Sequence, residues 1–312
     1  MKPTISIIAP IYNEIGNIEK LYQRISQTMD ASEESWELIL VDDGSRDGST
    51  EKIREYAQTD SRVRSVIFAR NFGHQIAVTA GLDYSRGQAV VIIDADLQDP
   101  PELINELIAK WREGYEVVYA VRAEREGESW FKLATASLFY RVIYRITDVN
   151  IPLDTGDFRL IDRKVVDILC QMRERHRFLR GMASWVGFRQ IGVSYKREAR
   201  FSGSTKYPLK KMIKFASDAI TGFSYFPLQV ATYMGFFSAG LSILAIPVVV
   251  ALRLAGSQAF FGQATTLIAV LFLGGVQLIS LGILGEYIGR LYDEAKGRPL
   301  YIVSEAPAEN EA

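Results

Sequence analysis

Short apolar runs alternate with amphipathic stretches through the first 122 residues. The runs TISIIAP (4–10), WELILVDD (36–43), RVRSVIFAR (62–70), AVVIIDAD (89–96) and YEVVYAVR (115–122) are rich in β-branched and aromatic residues and predict five strands. Between them, residues 17–32, 49–60, 75–86 and 101–113 carry helical patterns. Such alternation predicts an α/β fold of βαβ units, with a parallel sheet covered on both faces.

The pattern changes near Ser217. No charged residue occurs from Ala219 to Leu252, and after Arg253 none occurs from Leu254 to Gly285. Each stretch exceeds the roughly 20 apolar residues that cross a bilayer, which predicts spans near 228–252 and 264–288. Pro247 is a candidate kink that neighbouring helices can tolerate.

The flank before the first span, YKREARFSGSTKYPLKKMIKF, holds seven Lys and Arg against the single acid Glu198. The positive-inside rule then puts this flank, and everything before it, in the cytoplasm. Within it Leu209, Met212, Ile213, Phe215 and Ala216 oppose the lysines, as in an interfacial helix on anionic lipid. The expected organisation is a cytoplasmic α/β domain (1–206), a juxtamembrane amphipathic helix (207–226), a two-span anchor (227–290) and a cytoplasmic tail (291–312). The tail sequence SEAPAENEA is polar enough to expect disorder. The first ten residues hold too short an apolar run for a signal peptide.

Composition narrows the chemistry. Across 312 residues, 36 Lys and Arg nearly balance 37 Asp and Glu, which gives no indication of a nucleic-acid partner. One cysteine and two histidines exclude a disulfide framework and a Cys/His zinc site. Cys170, in VVDILCQM, is expected to be a buried helical thiol rather than a nucleophile.

In open parallel sheets ligands bind beyond the carboxyl ends of the strands. Polar residues gather there: Pro10, Tyr12, Asn13 and Glu14 after the first strand, then Asp42 and Asp43, Arg70 and Asn71, Asp94, Asp96 and Gln98, and Arg122. The G-x-G-x-x-G and P-loop fingerprints are absent. DDGSRDGS imitates the start of an EF-hand, but its twelfth position is Arg54, so a turn before a helix capped near Asp47 or Ser49 is expected instead. Asp94 and Asp96, two residues apart past a buried strand, can converge on one hard cation with Gln98 as a third oxygen ligand. Asp99 and Glu102 are expected to serve the turn and the next helix start.

PIYNE, VDDGSRDGS, NFGHQIAVTAGLDYSRG, DADLQDPPE and DTGDFRLIDR together resemble the inverting family 2 glycosyltransferases with a GT-A (Rossmann-like) fold. More narrowly they resemble the polyisoprenyl-phosphate glycosyltransferases, which include bactoprenol glucosyltransferases and dolichol-phosphate mannose synthases. The likeness covers residues 4 to about 215, and the two spans match the bactoprenol type. The Q-x-x-R-W motif of processive synthases is missing, which argues against polymerisation.

The resemblance implies that Pro10, Tyr12, Glu14, Asp42 and Asp94 serve the nucleotide, with Asp94, Asp96 and Gln98 holding Mg²⁺ or Mn²⁺ on the diphosphate. It puts Asp157, beside Arg159, at the candidate catalytic base. Arg200, Ser204 and Lys206 fall in a basic loop closing over phosphates, and Arg122 is a further phosphate- or acceptor-binding candidate. A salt bridge to Arg159 or to a nearby strand is the structural alternative for Asp157.

The function expected from this is transfer of one sugar, favouring glucose from UDP-glucose, to a polyprenyl phosphate at the cytoplasmic leaflet of a bacterial-type membrane. GDP-mannose is the alternative donor. A non-catalytic scaffold or flippase partner, and a transferase with a soluble acceptor, are the competing classes. The small-residue faces of the spans permit a homo-oligomer.

Overall fold

A computed structural model describes residues 3–122, 155–196, 221–222, 224–256 and 263–307. Two compact units share the chain: the residues up to 196 together with those from Arg298 onward, and the region 221–297.

The first unit is built on one eight-stranded sheet of order β7-β5-β6-β4-β1-β2-β3-β8. The strands are β1 (Ile5–Ile11), β2 (Trp36–Asp42), β3 (Val63–Phe68), β4 (Ala89–Ile92), β5 (Val117–Arg122), β6 (Thr155–Asp162), β7 (Gln190–Tyr195) and β8 (Val303–Glu305). All five strands expected from the apolar runs form. So do their helices: α1 (Ile15–Asp30), α2 (Ser49–Thr59), α3 (His74–Tyr84), and α4 (Ile104–Arg112) behind a short 3₁₀ turn at Pro101–Leu103. Two further helices, α5 (Arg163–Gln171) and α6 (Leu179–Trp185), follow β6.

One core packs Ile5, Ile7 and Ile11 of β1 against Ile18, Leu21 and Ile25 of α1 and Ile104 and Leu107 of α4. On the opposite face α3 lies so close to β1 that a Cβ on Gly81 would sit 2.2 Å from Ile8 Cγ2. Gly81→Ala is therefore expected to cost roughly 1–3 kcal/mol through overpacking, measured by denaturant unfolding. An unchanged midpoint would mean that Ile8 can turn aside.

The sheet is mixed rather than parallel. β6 inserts between β4 and β5, antiparallel to both, with Ile92 opposite Arg159 and Val121 opposite Thr155. This reversal matters for function. The first residues of an antiparallel strand lie beside the last residues of its neighbours, so Thr155–Asp157 sits at the carboxyl edge of β4 and β5.

The other departure is at the far edge, where β8 pairs antiparallel with β3. The polar tail thus begins ordered: Ser304 Oγ donates to Ile67 O (3.0 Å), and Arg54 grips both carboxylate oxygens of Glu305 (2.9 and 2.5 Å). Just before the strand, Tyr301 stacks on Phe68 and its hydroxyl donates to Asp83 on α3 (2.7 Å). An exposed edge strand needs such a cover, and the tail supplies it.

The second unit contains helices α7 (Phe226–Leu254) and α8 (Gln263–Ala295). Within them Phe226–Leu252 and Thr266–Ala295 are long and apolar enough to cross a membrane. α7 continues through Pro247, and large apolar side chains such as Phe236 and Leu244 (each 70% exposed) face outward. Tyr287 Oη donates to Ser224 O (2.7 Å), tying α8 to the residues just before α7.

Candidate active site

Three loops at the carboxyl edge of the sheet are bolted together by aspartates. Asp42 is fully buried; its oxygens accept from Ser45 N (3.0 Å) and the Thr50 hydroxyl. Asp43 accepts from Phe72 N (2.6 Å), Gly73 N (3.0 Å) and Asn71 Nδ2 (2.9 Å), and burial raises its carboxyl above the ordinary range. Gly44, at φ +71°, makes the close approach possible: a Cβ there would meet the backbone of Arg70 and Asn71 at 2.7 Å. Asp47 caps α2 from one residue before the left-handed Gly48, accepting from Ser49 N and Oγ, and it also accepts from Ile15 N at the start of α1.

Sequence reasoning turned both Asp42 and Asp43 toward the crevice. The structure turns their carboxylates into the loops instead. Pro10 is buried in β1, Tyr12 stands 45% exposed at its end, and Glu14 Oε2 accepts from Asn17 Nδ2 (2.6 Å).

The loop fixed by Asp43 delivers the first residues of α3 to the start of β6. There Asp157, only 9% exposed, is surrounded by donors. Arg180 Nε donates to Oδ1 at 2.8 Å, Gln75 Nε2 donates to Oδ2 at 3.1 Å, and His74 Nε2 lies 3.1 Å from Oδ2. Burial alone would raise this carboxyl, but the charge of Arg180 and the His74 contact hold it well below the usual range. The cation beside Asp157 is Arg180 from α6, not Arg159. Arg159 is 5% exposed, donates to Gly156 O (3.0 Å), and burial lowers its guanidinium to about 10.

His74 also lies 3.5 Å from Asp94 Oδ1. Partial desolvation opposes its charge, but Asp157 and Asp94 outweigh that and raise the imidazole to about 9. Asp94 moves the other way, pushed up to about 6 by burial. Its Oδ1 is buried and has no hydrogen-bond donor.

Past Asp94 the chain turns through Leu97, which has φ +59° and a buried side chain. A non-glycine residue in this region is strained, and such strain collects at functional sites. The turn is closed by Gln98 N donating to Asp96 Oδ1 (3.1 Å). Asp99 is fully buried and accepts from the Tyr195 hydroxyl on β7, so it anchors the loop to the sheet rather than merely ending a turn. Glu102 does open the 3₁₀ turn, and it also pairs with Arg24 of α1 (2.6 Å). At the end of β5 the Arg122 guanidinium reaches over Gly156, with Nη2 3.1 Å from where a Cβ would be. Its buried Nε has no hydrogen-bond partner.

The profile of glycosyl transferase family 2 matches residues 6–169, and that of the GtrB C-terminal hairpin matches 226–291. YkcC, an uncharacterised glycosyltransferase of Bacillus subtilis, is 52% identical over 96% of this chain and 93% of its own. The SfII prophage-derived bactoprenol glucosyl transferase of Shigella flexneri is 40% identical over 97% of this chain and 98% of its own. The chain belongs to glycosyltransferase family 2.

As a family 2 glycosyltransferase it is a transferase with a GT-A α/β layer. The site described above occupies the carboxyl edge, where such a layer binds ligands. Asp94, Asp96 and Gln98 are the oxygen donors suited to a hard cation. Among the described residues no three His, Cys, Asp or Glu side chains are grouped to hold a metal by themselves. An ion here would need ligands from its substrate, the usual arrangement for Mg²⁺ on nucleotide phosphates. The orphaned Asp94 Oδ1 fits that demand.

Three residues of the site escaped the sequence reading: His74, Gln75 and Arg180. His74 stands in the quoted segment NFGHQ, at a strand end and a helix start, in a chain with only two histidines. That was the available signal; its partner lies 83 residues away. Cys170 on α5 is half-buried, with its thiol pushed up to about 12 by burial and then by Asp83, as befits an inert thiol. Arg200, Ser204, Lys206 and most of the juxtamembrane helix lie outside the described residues.

Proposed function

We propose that this transferase moves a single sugar from a nucleotide donor, UDP-glucose by preference, to the phosphate of a polyprenyl lipid on the cytoplasmic leaflet. The observation that carries this reading is the full-length match to bactoprenol glucosyl transferases, spanning both the catalytic layer and the apolar hairpin. The basic collar before the first span and the hairpin itself suit an acceptor that never leaves the bilayer.

The chemistry follows from the side chains. An acceptor phosphate oxygen forms a bond to C1 of the sugar while the bond from C1 to the nucleoside diphosphate breaks, and the electron pair leaves with the diphosphate. A lipid monophosphate has a second pKa of about 6 and is largely ionised at neutral pH, so no strong base is required. Asp157, held well below the usual carboxylate range, is a poor proton acceptor. It acts instead as a fixed anion that orients Arg180 and His74 and stabilises positive charge developing at C1.

Asp94, Asp96 and Gln98 would hold Mg²⁺ or Mn²⁺, whose charge offsets that of the departing diphosphate. Arg122, whose buried Nε has no hydrogen-bond partner, would bind a phosphate. Pro10, Tyr12 and Glu14 would line the nucleotide base and ribose, with Asp42 acting from beneath by fixing the loop through Ser45 and Thr50. Arg200, Ser204 and Lys206 would close over the phosphates.

The test is incubation of the purified full chain with polyprenyl phosphate, Mg²⁺ or Mn²⁺, and a panel of labelled nucleotide sugars. Labelled lipid is expected with UDP-glucose. Product from GDP-mannose alone would reassign the donor, and no lipid product from any sugar would sink the enzymatic reading.

A further inference from the structure

His74 touches two carboxylates that serve different halves of the proposed reaction, which is the reading this inference rests on. Its backbone is fixed before any ligand arrives. Gly73 N is held by Asp43, and Ile76 N and Ala77 N both return to Gly73 O (3.0 Å each). The neighbouring Gln75 is pinned at both ends, donating to Asp157 and accepting from Leu179 N (3.0 Å). The first turn of α3 is therefore a rigid mount, and the imidazole projects from it between β4 and β6.

Asp157 needs no help from His74 to stay in place, since Arg180 and Gln75 both hold it. Asp94 is different. Its buried Oδ1 has no hydrogen-bond donor, and the imidazole nitrogen at 3.5 Å is its ion-pair partner. Remove that nitrogen and the carboxylate faces Asp157 across adjacent strands with no donor between them. Two such carboxylates repel, and Asp94 would be pushed away from the orientation shared with Asp96.

We propose that His74 is a positioning residue that braces Asp94 against Asp157, aiming the Asp94 carboxylate at a divalent cation without itself touching sugar or phosphate. Partners that orient a metal-holding carboxylate in this way typically carry a 10- to 100-fold share of metal affinity, on the order of the effect expected here.

The experiment titrates Mn²⁺ into the full-length protein with UDP present, followed by electron paramagnetic resonance, for wild type, His74→Gln and His74→Ala. His74→Gln keeps a donor near the same point; His74→Ala does not. The expected result is a loss of Mn²⁺ affinity of roughly 10- to 100-fold in His74→Ala. His74→Gln should recover most of that loss, and metal-free UDP affinity should be unchanged in both. Excess Mn²⁺ should also restore turnover of His74→Ala.

Wild-type affinity in His74→Ala, or a loss as deep in His74→Gln, overturns the proposal. So does a turnover defect that excess Mn²⁺ leaves in place, because that would make His74 a substrate contact. Failure of wild type to bind Mn²⁺ with UDP overturns it as well. Absence of lipid product from wild type would instead condemn the transfer reading, while the metal titration still judges His74.

Discussion

Asp157→Asn is expected to slow sugar transfer by roughly 10²- to 10⁴-fold, the range of a positioned acid–base or charge-stabilising group, while leaving donor affinity near wild type. The carboxylate accepts from Arg180 on one oxygen and from His74 and Gln75 on the other. An amide offers only one acceptor. Either Arg180 or the His74–Gln75 side must then face an N–H₂ group, and the negative charge is gone in both cases.

His74 reports the change independently of turnover. Its imidazole, raised to about 9 largely through Asp157 and Asp94, should titrate lower in the variant, as measured by NMR. The acid response carries a sign too. Asp157 is lowered in the fold, so its contribution to stability is present above the ordinary carboxylate pKa of about 4 and is lost as pH falls further, toward its folded value. The stability gap between wild type and variant should therefore close in acid. An unaltered transfer rate would reduce Asp157 to a structural anchor.

Asp96→Asn should be as damaging for another reason. The hydrogen bond that closes the turn, from Gln98 N to Asp96 Oδ1, can be made equally by an amide oxygen, so Leu97 keeps its backbone and the loop survives. What disappears is one of the two charges available to a cation. We expect a fall in turnover of roughly 10³-fold or more, equivalent to about 4 kcal/mol of transition-state stabilisation, together with weaker nucleotide binding in the presence of Mn²⁺ but not without it. Calorimetry with and without the ion separates the two. Full activity would refute the assignment of the cation to this turn.

The first five strands could be read from the chain because burial dominates them: β1, β2 and β4 are buried at every position. β6 could not. It places Asp157 and Arg159 in the buried interior of the site, so function overwrites the apolar pattern by which a central strand is recognised. Its antiparallel insertion is equally invisible, since strand order depends on contacts remote in sequence. The acids past β4 could be found from local spacing alone. Their brace could not, because His74 on α3 meets Asp94 past β4 and Asp157 on β6 only once three separate elements have converged. The aspartates after β2 are a subtler case. Their type and place suggest ligands, yet three-dimensional context spends their oxygens on neighbouring loops.

The tail strand carries a consequence for how the molecule is assembled. β3 is flanked on one side by β2 and on the other by β8, and β8 is separated from the rest of the sheet by both long apolar helices in the chain order. During synthesis the outer edge of Val63–Phe68 therefore stays open until both helices have been made, although every other strand of the sheet is already available. An open edge of this kind pairs readily with foreign strands. Interruption of the chain anywhere between Phe226 and Val303 would thus leave a nearly complete sheet with an adhesive border, closed only when β8 is made.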